Sequence, residues 1–138
     1  MQKLILDTSV LIATFYKSAR GPSFSKDVYD YAVESAIVYV SQEILNEFHK
    51  NCIKKLRLNR RETSALESLI LQKTQMATLK KGIHASNFSI RDVGDRHIVE
   101  LALTVDADFI LSWDKDLLVL KEVNKTKILT PKNFWMSL

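Results

Sequence analysis

Four acidic side chains lie at the ends of predicted strands, or in or just before predicted helices. They are Asp7, Glu47, Asp95 and Asp114. Carboxylates that come close together repel one another, so a fold keeps them together only where protons or cations neutralise them. No cysteine and few histidines lie nearby, so the ligands would be oxygens, which suit Mg²⁺ or Mn²⁺ better than zinc. One or two such ions activate water and stabilise the leaving oxygen in phosphodiester cleavage.

The segment between Asp95 and Asp114 is predicted to form a helix, a short connection and a strand. The predicted helix begins near Asp95. Four apolar residues, at i, i+3, i+4 and i+7 counted from Ile98, form one of its faces. They are Ile98, Leu101, Ala102 and Val105. The apolar run Phe109–Leu111 is typical of a strand covered on both sides. Both acids can then lie at the edge beyond the carboxyl ends of parallel strands, where α/β folds place their sites.

Strands and helices also alternate along the rest of the chain. Apolar or β-branched runs predict strands over residues 3–6, 36–40 and 127–130. Helices are predicted from Val10 to about Tyr16, from Phe24, around Glu47, from Asn59, and around Phe134. Residues 80–89 give mixed signals, which we interpret as a loop that could hold a short strand.

Two of these helices have clear inward faces. The helix that carries Glu47 is expected to bury Ile44, Leu45, Phe48 and Cys52. The helix after Asn59 begins with a sequence typical of a capping box, with Asn59 as the cap and Glu62 three residues later. Its inward residues are expected to be Leu66, Leu69 and Ile70, with Met76 as a further candidate.

This alternation predicts one α/β domain over residues 1–138. We expect a three-layer α/β/α sandwich with a central, mainly parallel sheet of four or five strands. Right-handed crossovers would then place Asp7 and Asp114 at the carboxyl ends of neighbouring strands.

The composition is that of an ordinary globular protein with a slight excess of positive charge. The chain has 138 residues and a formal net charge of +4. Its single cysteine, Cys52, excludes a disulfide framework within the chain and favours a reducing compartment, so a cytoplasmic location is expected. We find no signal peptide and no apolar run long enough to span a membrane, and we expect no membrane association.

A basic stretch follows Glu47 directly. It contains Lys50, Lys54, Lys55, Arg57, Arg60 and Arg61. Positive charge beside an acidic metal site fits a substrate with a phosphate backbone. Lys50, Lys54, Lys55 and Arg57 are therefore the predicted substrate-binding residues.

Several segments, in order along the chain, resemble the successive motifs of the PIN domain family. They are residues 6–12 (LDTSVLI), 41–48 (SQEILNEF), 95–103 and 112–118 (SWDKDLL), and residues 128–134 are similar to the ending of its toxin-like branch. The resemblance implies a PIN-like fold and a metal-dependent endoribonuclease that cleaves single-stranded RNA. It also implies a toxin of the VapC type, for which an antitoxin protein and a second copy of the chain are candidate partners.

By this resemblance, Asp7, Glu47, Asp95 and Asp114 take the catalytic and metal-binding acid positions. Asp116 matches a common additional acid, and Thr8, Ser9 and Ser112 match polar positions that orient ligands or water. Asp92 competes with Asp95 for the third acid, and the spacing of Asp95 to the Ile98 and Leu101 face favours Asp95. Trp113 stands where many relatives have a small residue; we interpret it as a core residue, with base stacking as the alternative.

Each acid also has a purely structural interpretation. Asp7 could cap the first helix, and Asp114 and Asp116 could be turn residues. A PIN-like module that binds RNA or protein without catalysis therefore remains the alternative function. Among the histidines, only His97 is close in sequence to a predicted acid.

Overall fold

A six-stranded sheet organises the part of the chain that the structure describes. The computed structural model describes residues 1–15, 24–80, 90 and 92–138. The strands are β1 (Lys3–Leu6), β2 (Ile37–Val40), β3 (Gln75–Met76), β4 (Phe109–Leu111), β5 (Glu122–Val123) and β6 (Thr126–Leu129). They lie in the order β3-β2-β1-β4-β6-β5, and all neighbours are parallel except β5 and β6. The predicted mainly parallel sheet is confirmed, but it has six strands rather than four or five, because a two-residue strand lies at each edge.

Helices connect the strands and cover both faces of the sheet. Within the described ranges they are α1 (Thr8–Phe15), α2 (Phe24–Ser35), α3 (Gln42–Lys54), α4 (Arg60–Lys73), α5 (Arg96–Val105), α6 (Lys115–Leu118) and α7 (Pro131–Met136). A short 3-10 turn, Val93–Asp95, leads into α5. Helices α1 to α4 lie in connections that run one way along the sheet, and α5 lies in the connection that returns. Right-handed crossovers therefore put them on opposite faces, which gives the predicted three layers.

The core is centred on the two middle strands. Leu4, Ile5 and Leu6 of β1 are fully buried, as are Ile110 and Leu111 of β4. Successive side chains of a strand point to opposite faces, so consecutive buried residues mean that both faces are covered. Burying each such side chain stabilises the fold by roughly 1.5–3 kcal/mol. The sheet edge beyond these strands is thus attached to a well-packed support.

The register of the middle strands determines which residues meet at that edge. Leu6 of β1 lies opposite Leu111 of β4. The ladder continues one residue further, because the backbone N–H of Asp7 donates to the Leu111 carbonyl at 2.9 Å. Asp7 and Asp114 therefore follow neighbouring strands at their carboxyl ends, as predicted.

Helix α4 begins as predicted, but the side chains that it buries differ from the prediction. The capping box is confirmed, with Asn59 Oδ1 accepting from the backbone N–H of Glu62 at 2.8 Å and Glu62 Oε1 accepting from that of Asn59 at 3.1 Å. However, Leu69 of α4 is exposed, and so is Met76, which lies in β3 rather than in the helix, so their predicted burial is wrong. Helix α4 packs mainly on α3, and a helix in this outer position needs only a narrow apolar stripe.

Some predicted elements fall outside the described residues. The end of the first helix at Tyr16 does so, and so does most of the loop predicted over residues 80–89. Strands β3 and β5 were not predicted, since two residues are too few to give a periodic signal. No helix within the described ranges is long and apolar enough to cross a membrane.

Candidate active site

The four predicted acids line one cavity at the carboxyl edge of the sheet. Its volume is about 320 Å³. It is lined by Asp7, Thr8, Ser9, Ile12, Glu47, Asn51, Lys55, Asp95 and Asp114. The residue after strand β1, helix α3, the 3-10 turn and the loop after β4 each supply one acid, so the site exists only in the folded sheet.

Asp7 is held in one orientation by three hydrogen-bond donors. Its Oδ2 accepts from Ser112 Oγ at 2.7 Å and from Ser9 Oγ at 3.0 Å, and its Oδ1 accepts from the backbone N–H of Thr8 at 2.7 Å. A helix cap would instead accept from the second or third residue of α1. Only 4% of Asp7 is exposed, and this burial, together with the charge of Glu47, raises its pKa despite the three donors.

Ser112 links the first acid to the last. Its hydroxyl donates to Asp7 and accepts from the backbone N–H of Asp114 at 2.9 Å. The carboxylate of Asp114 in turn accepts from the backbone N–H of Asp116 at 2.9 Å, which caps α6. The turn chemistry expected for Asp114 is therefore present, but it also orients a carboxylate toward the cavity.

Asp95 has the most perturbed environment among these acids. Only 7% of the residue is exposed. Burial and the nearby Asp114, which repels it and shares a side-chain hydrogen bond, raise the pKa of Asp95 to about 7, with smaller contributions from Asp7 and Asp92. A carboxyl group in this position holds a proton near neutrality unless a cation replaces it.

Asp92 and Asp95, the two candidates for the third acid, lie in different surroundings. Asp95 is buried and lines the cavity, whereas Asp92 is exposed and caps the 3-10 turn, accepting from the backbone N–H of Gly94 at 2.8 Å. Even so, one carboxylate oxygen each from Asp92, Asp95 and Asp116 lie within 4.8 Å of one another. The acidic cluster thus extends from the cavity to Asp92 and Asp116 at its rim.

The donor set of this cluster fits a divalent cation. Within the described part of the chain, Thr8 Oγ1 and Asp95 Oδ2 are buried without a hydrogen-bond partner. A buried polar atom without a partner is costly, and both of these atoms have lone pairs to offer. Oxygen ligands with net negative charge are what Mg²⁺ and Mn²⁺ prefer.

Comparison with known proteins agrees with this arrangement. A family model described as PIN domain matches residues 3–116, from the first strand to Asp116. The chain belongs to the PIN domain family. No curated protein matches it.

Solved structures share the fold of this PIN domain. One is VapBC2 from Rickettsia felis bound to a DNA fragment from its promoter, with a TM-score of 0.68, 11% identity, and 92% of this chain and 97% of that chain covered. Another is VapC20 from Mycobacterium tuberculosis, described as a sarcin-ricin loop cleaving toxin, with a TM-score of 0.66, 14% identity, and coverage of 90% and 98%. The predicted likeness to VapC-type PIN folds is confirmed.

Helix α3 presents three polar side chains to the cavity of the PIN domain. Glu47, Asn51 and Lys55 are spaced by four residues, which places them along one helical face. Asn51 was missed in the sequence, although its spacing from Glu47 was a usable signal. Of the predicted substrate-binding residues, Lys55 lines the cavity.

The other three basic residues predicted to bind substrate, Lys50, Lys54 and Arg57, are exposed on or just after α3. Arg57 has a backbone φ of 55°, so the chain turns sharply there. These residues are available to a bound polyanion outside the cavity.

Two further residues lie next to the acids. His97 Nε2 lies 3.0 Å from Glu47 Oε2. Burial lowers the pKa of His97, but the hydrogen bond and the charge of Glu47 raise it more, so the net shift is upward.

Trp113 is 39% exposed, so its predicted place in the core is wrong. Trp113 lies just beyond β4, and its indole N–H donates to the Oγ of the buried Ser25 at 2.8 Å.

Proposed function

We propose that this PIN domain is an Mg²⁺- or Mn²⁺-dependent endoribonuclease that cleaves single-stranded RNA. The observation that carries this proposal is the cavity in which Asp7, Asp95, Asp114 and Glu47 converge from four separate elements. Membership of the PIN domain family supports it. The similar fold of VapC20, a toxin described as cleaving the sarcin-ricin loop, supports an RNA substrate.

The acids would hold the cation, and their neighbours would keep the acids in place. When bound, the cation supplies positive charge to a phosphate oxygen and lowers the pKa of a water molecule. Ser9 and Ser112 keep Asp7 oriented through their hydroxyl groups. Because these donors are positioned before substrate arrives, little reorganisation is needed during the reaction.

Helix α3 would bind the RNA backbone. Lys55 brings a positive charge to the wall of a cavity that otherwise carries four acids. The amide of Asn51 lies between Glu47 and Lys55 on the same face and can donate to a phosphate or ribose oxygen. Outside the cavity, Lys50, Lys54 and Arg57 would contact further phosphates along the RNA strand.

We further propose that the protein is the toxin of a toxin–antitoxin pair. Its fold is similar to that of chains from VapBC2 and VapC20. An antitoxin protein and a second copy of the chain would then be its protein partners, in the cytoplasm. Co-expression with the product of an adjacent reading frame, followed by co-purification, tests the antitoxin.

The nuclease activity is tested directly with purified protein and a labelled single-stranded RNA. Cleavage is expected with Mn²⁺ or Mg²⁺ and is expected to stop when EDTA removes the ion. The same sequence as a duplex should be cut more slowly. Tight RNA binding without cleavage at any divalent ion concentration would favour the non-catalytic RNA-binding module instead.

Replacing Lys54, Lys55 and Arg57 by Ala is expected to flatten the salt dependence of RNA binding. Each lost phosphate contact lowers the magnitude of the slope of log K against log[salt] by about 0.7 for single strands, so the loss of three contacts should lower that magnitude by about 2. Binding would be followed by fluorescence anisotropy in EDTA, so that the RNA stays intact. A triple Ala variant of Lys121, Lys125 and Lys127, toward the opposite edge of the sheet, changes the charge equally and should keep the wild-type slope. Equal slopes for the two variants would assign the basic stretch to solvation of α3.

A further inference from the structure

The hydrogen bond between His97 and Glu47 joins two helices across the candidate site. The two residues are 50 positions apart in sequence, on α5 and α3. A carboxylate can only accept, so the Nε2 of His97 carries the hydrogen of this 3.0 Å bond. His97 follows Asp95 by two residues, so the same short segment supplies an acid and a donor to a second acid.

Glu47 needs such a partner more than Asp7 or Asp114 does. Its side chain is 41% exposed, whereas that of His97 is 18% exposed. A glutamate has more rotatable bonds than an aspartate, and an exposed glutamate loses rotamer entropy when it is confined. Asp7 and Asp114 are already oriented by Ser112, Ser9 and backbone N–H groups. The half-buried imidazole gives Glu47 a comparable constraint from outside the cavity.

We infer that His97 is a positioning residue that holds the Glu47 carboxylate toward Asp95 and Asp7 in the metal centre. This inference rests on the proposed function, since it assigns His97 a role in binding the cation. His97 itself is absent from the cavity wall, so it acts through Glu47. Partners that orient ligating side chains typically change metal affinity or activity by about 10- to 100-fold when they are removed.

A matched pair of variants tests the inference. The side-chain amide of His97→Gln can reach the place of Nε2, whereas that of His97→Asn is too short and reaches only the place of Nδ1. Mn²⁺ binding would be measured at constant pH by the EPR signal of free Mn²⁺, with RNA cleavage in parallel. His97→Asn is expected to weaken Mn²⁺ binding by about 10-fold or more, and His97→Gln to recover most of the wild-type affinity. The Tm of each protein in EDTA shows that both are folded.

A double-mutant cycle shows whether His97 acts through Glu47. In a Glu47→Ala background, His97→Asn should cause no further loss of Mn²⁺ affinity, because the carboxylate that it positions is gone. An equal loss in both backgrounds would overturn the inference, and so would wild-type affinity in His97→Asn. In contrast, a wild-type protein that neither binds Mn²⁺ nor cleaves RNA would overturn the proposed function and the role of His97 with it.

Discussion

Replacing Asp7 by Asn is expected to abolish both RNA cleavage and the stabilisation that Mn²⁺ provides. Asp7 is buried beside Glu47 and Asp95, so it contributes charge where the cation would bind. A cation at 100 times its dissociation constant adds roughly 2.7 kcal/mol to the free energy of unfolding if it binds only the folded state. Losing several kcal/mol of electrostatic stabilisation lowers the cleavage rate by a factor on the order of 10³.

The metal-free Asp7→Asn protein should be no less stable than wild type, because the substitution removes a buried like charge. Melting curves with EDTA and with Mn²⁺, together with cleavage rates, measure these effects. Asp30→Asn is the matched control, because Asp30 is exposed on α2, where it pairs with Lys26, and does not line the cavity. The Tm of this variant should rise with Mn²⁺ as the Tm of wild type does. If Asp7 were only a cap, Asn would replace it with little change, and an unaltered response to Mn²⁺ would support that role.

The metal-free protein is expected to lose stability as the pH rises toward and through neutrality. The folded pKa of Asp95 is about 7, well above its ordinary value of 3.8, because of burial and Asp114. The folded state therefore binds more protons than the unfolded state between these values. The contribution of protonated Asp95 is present in full below pH 3.8 and is lost as the pH rises through about 7. A shift from 3.8 to about 7 corresponds to a loss of at most about 4 kcal/mol.

Asp95→Asn should remove this pH dependence, since the amide does not ionise. Urea unfolding in EDTA from pH 4.5 to about 8.5 measures the free energy of unfolding, and the difference between variant and wild type isolates Asp95. Saturating Mn²⁺ should also remove the decline in wild type, because the ion binds the ionised carboxylate. Asp106→Asn, at an exposed helix end, is the control and should parallel wild type. If the free energy of unfolding of Asp95→Asn also fell with pH in parallel with wild type, Asp95 would ionise normally in the folded protein.

The local pattern of the chain was sufficient for most of the fold. Buried runs such as Lys3–Leu6 and Phe109–Leu111 are strands because two covered faces need continuous apolar sequence. The α5 face and the capping box of α4 also follow from spacing alone. Since strand ends and crossover handedness have few alternatives, the sequence also indicated that Asp7 and Asp114 would meet.

Some predictions of side-chain burial from the sequence were wrong. Leu69 and Met76 fit an apolar face, yet both are exposed. Leu69 is exposed because α4 packs mainly on α3 and needs only a narrow apolar stripe, and Met76 lies in the edge strand β3 rather than in α4. Trp113 is a large aromatic residue of the kind found in cores, but it lies beyond the end of β4 and is 39% exposed, with its indole N–H bonded to Ser25. Burial depends on which element covers a side chain, and a local window does not contain that information.

The acids that converge could therefore be identified from the chain itself, because Asp7, Asp95 and Asp114 stand at the end of a strand or the start of a helix and Glu47 lies in the helix after β2. Only the tertiary structure decided how they are held. The bond between His97 and Glu47 and that between Ser112 and Asp7 join residues 50 and 105 positions apart. Such contacts depend on sheet register and helix rotation to within about an ångström, because a hydrogen bond tolerates little error in distance. Periodicity locates a helix face but not its partner, so these bonds became visible only when the elements were packed together.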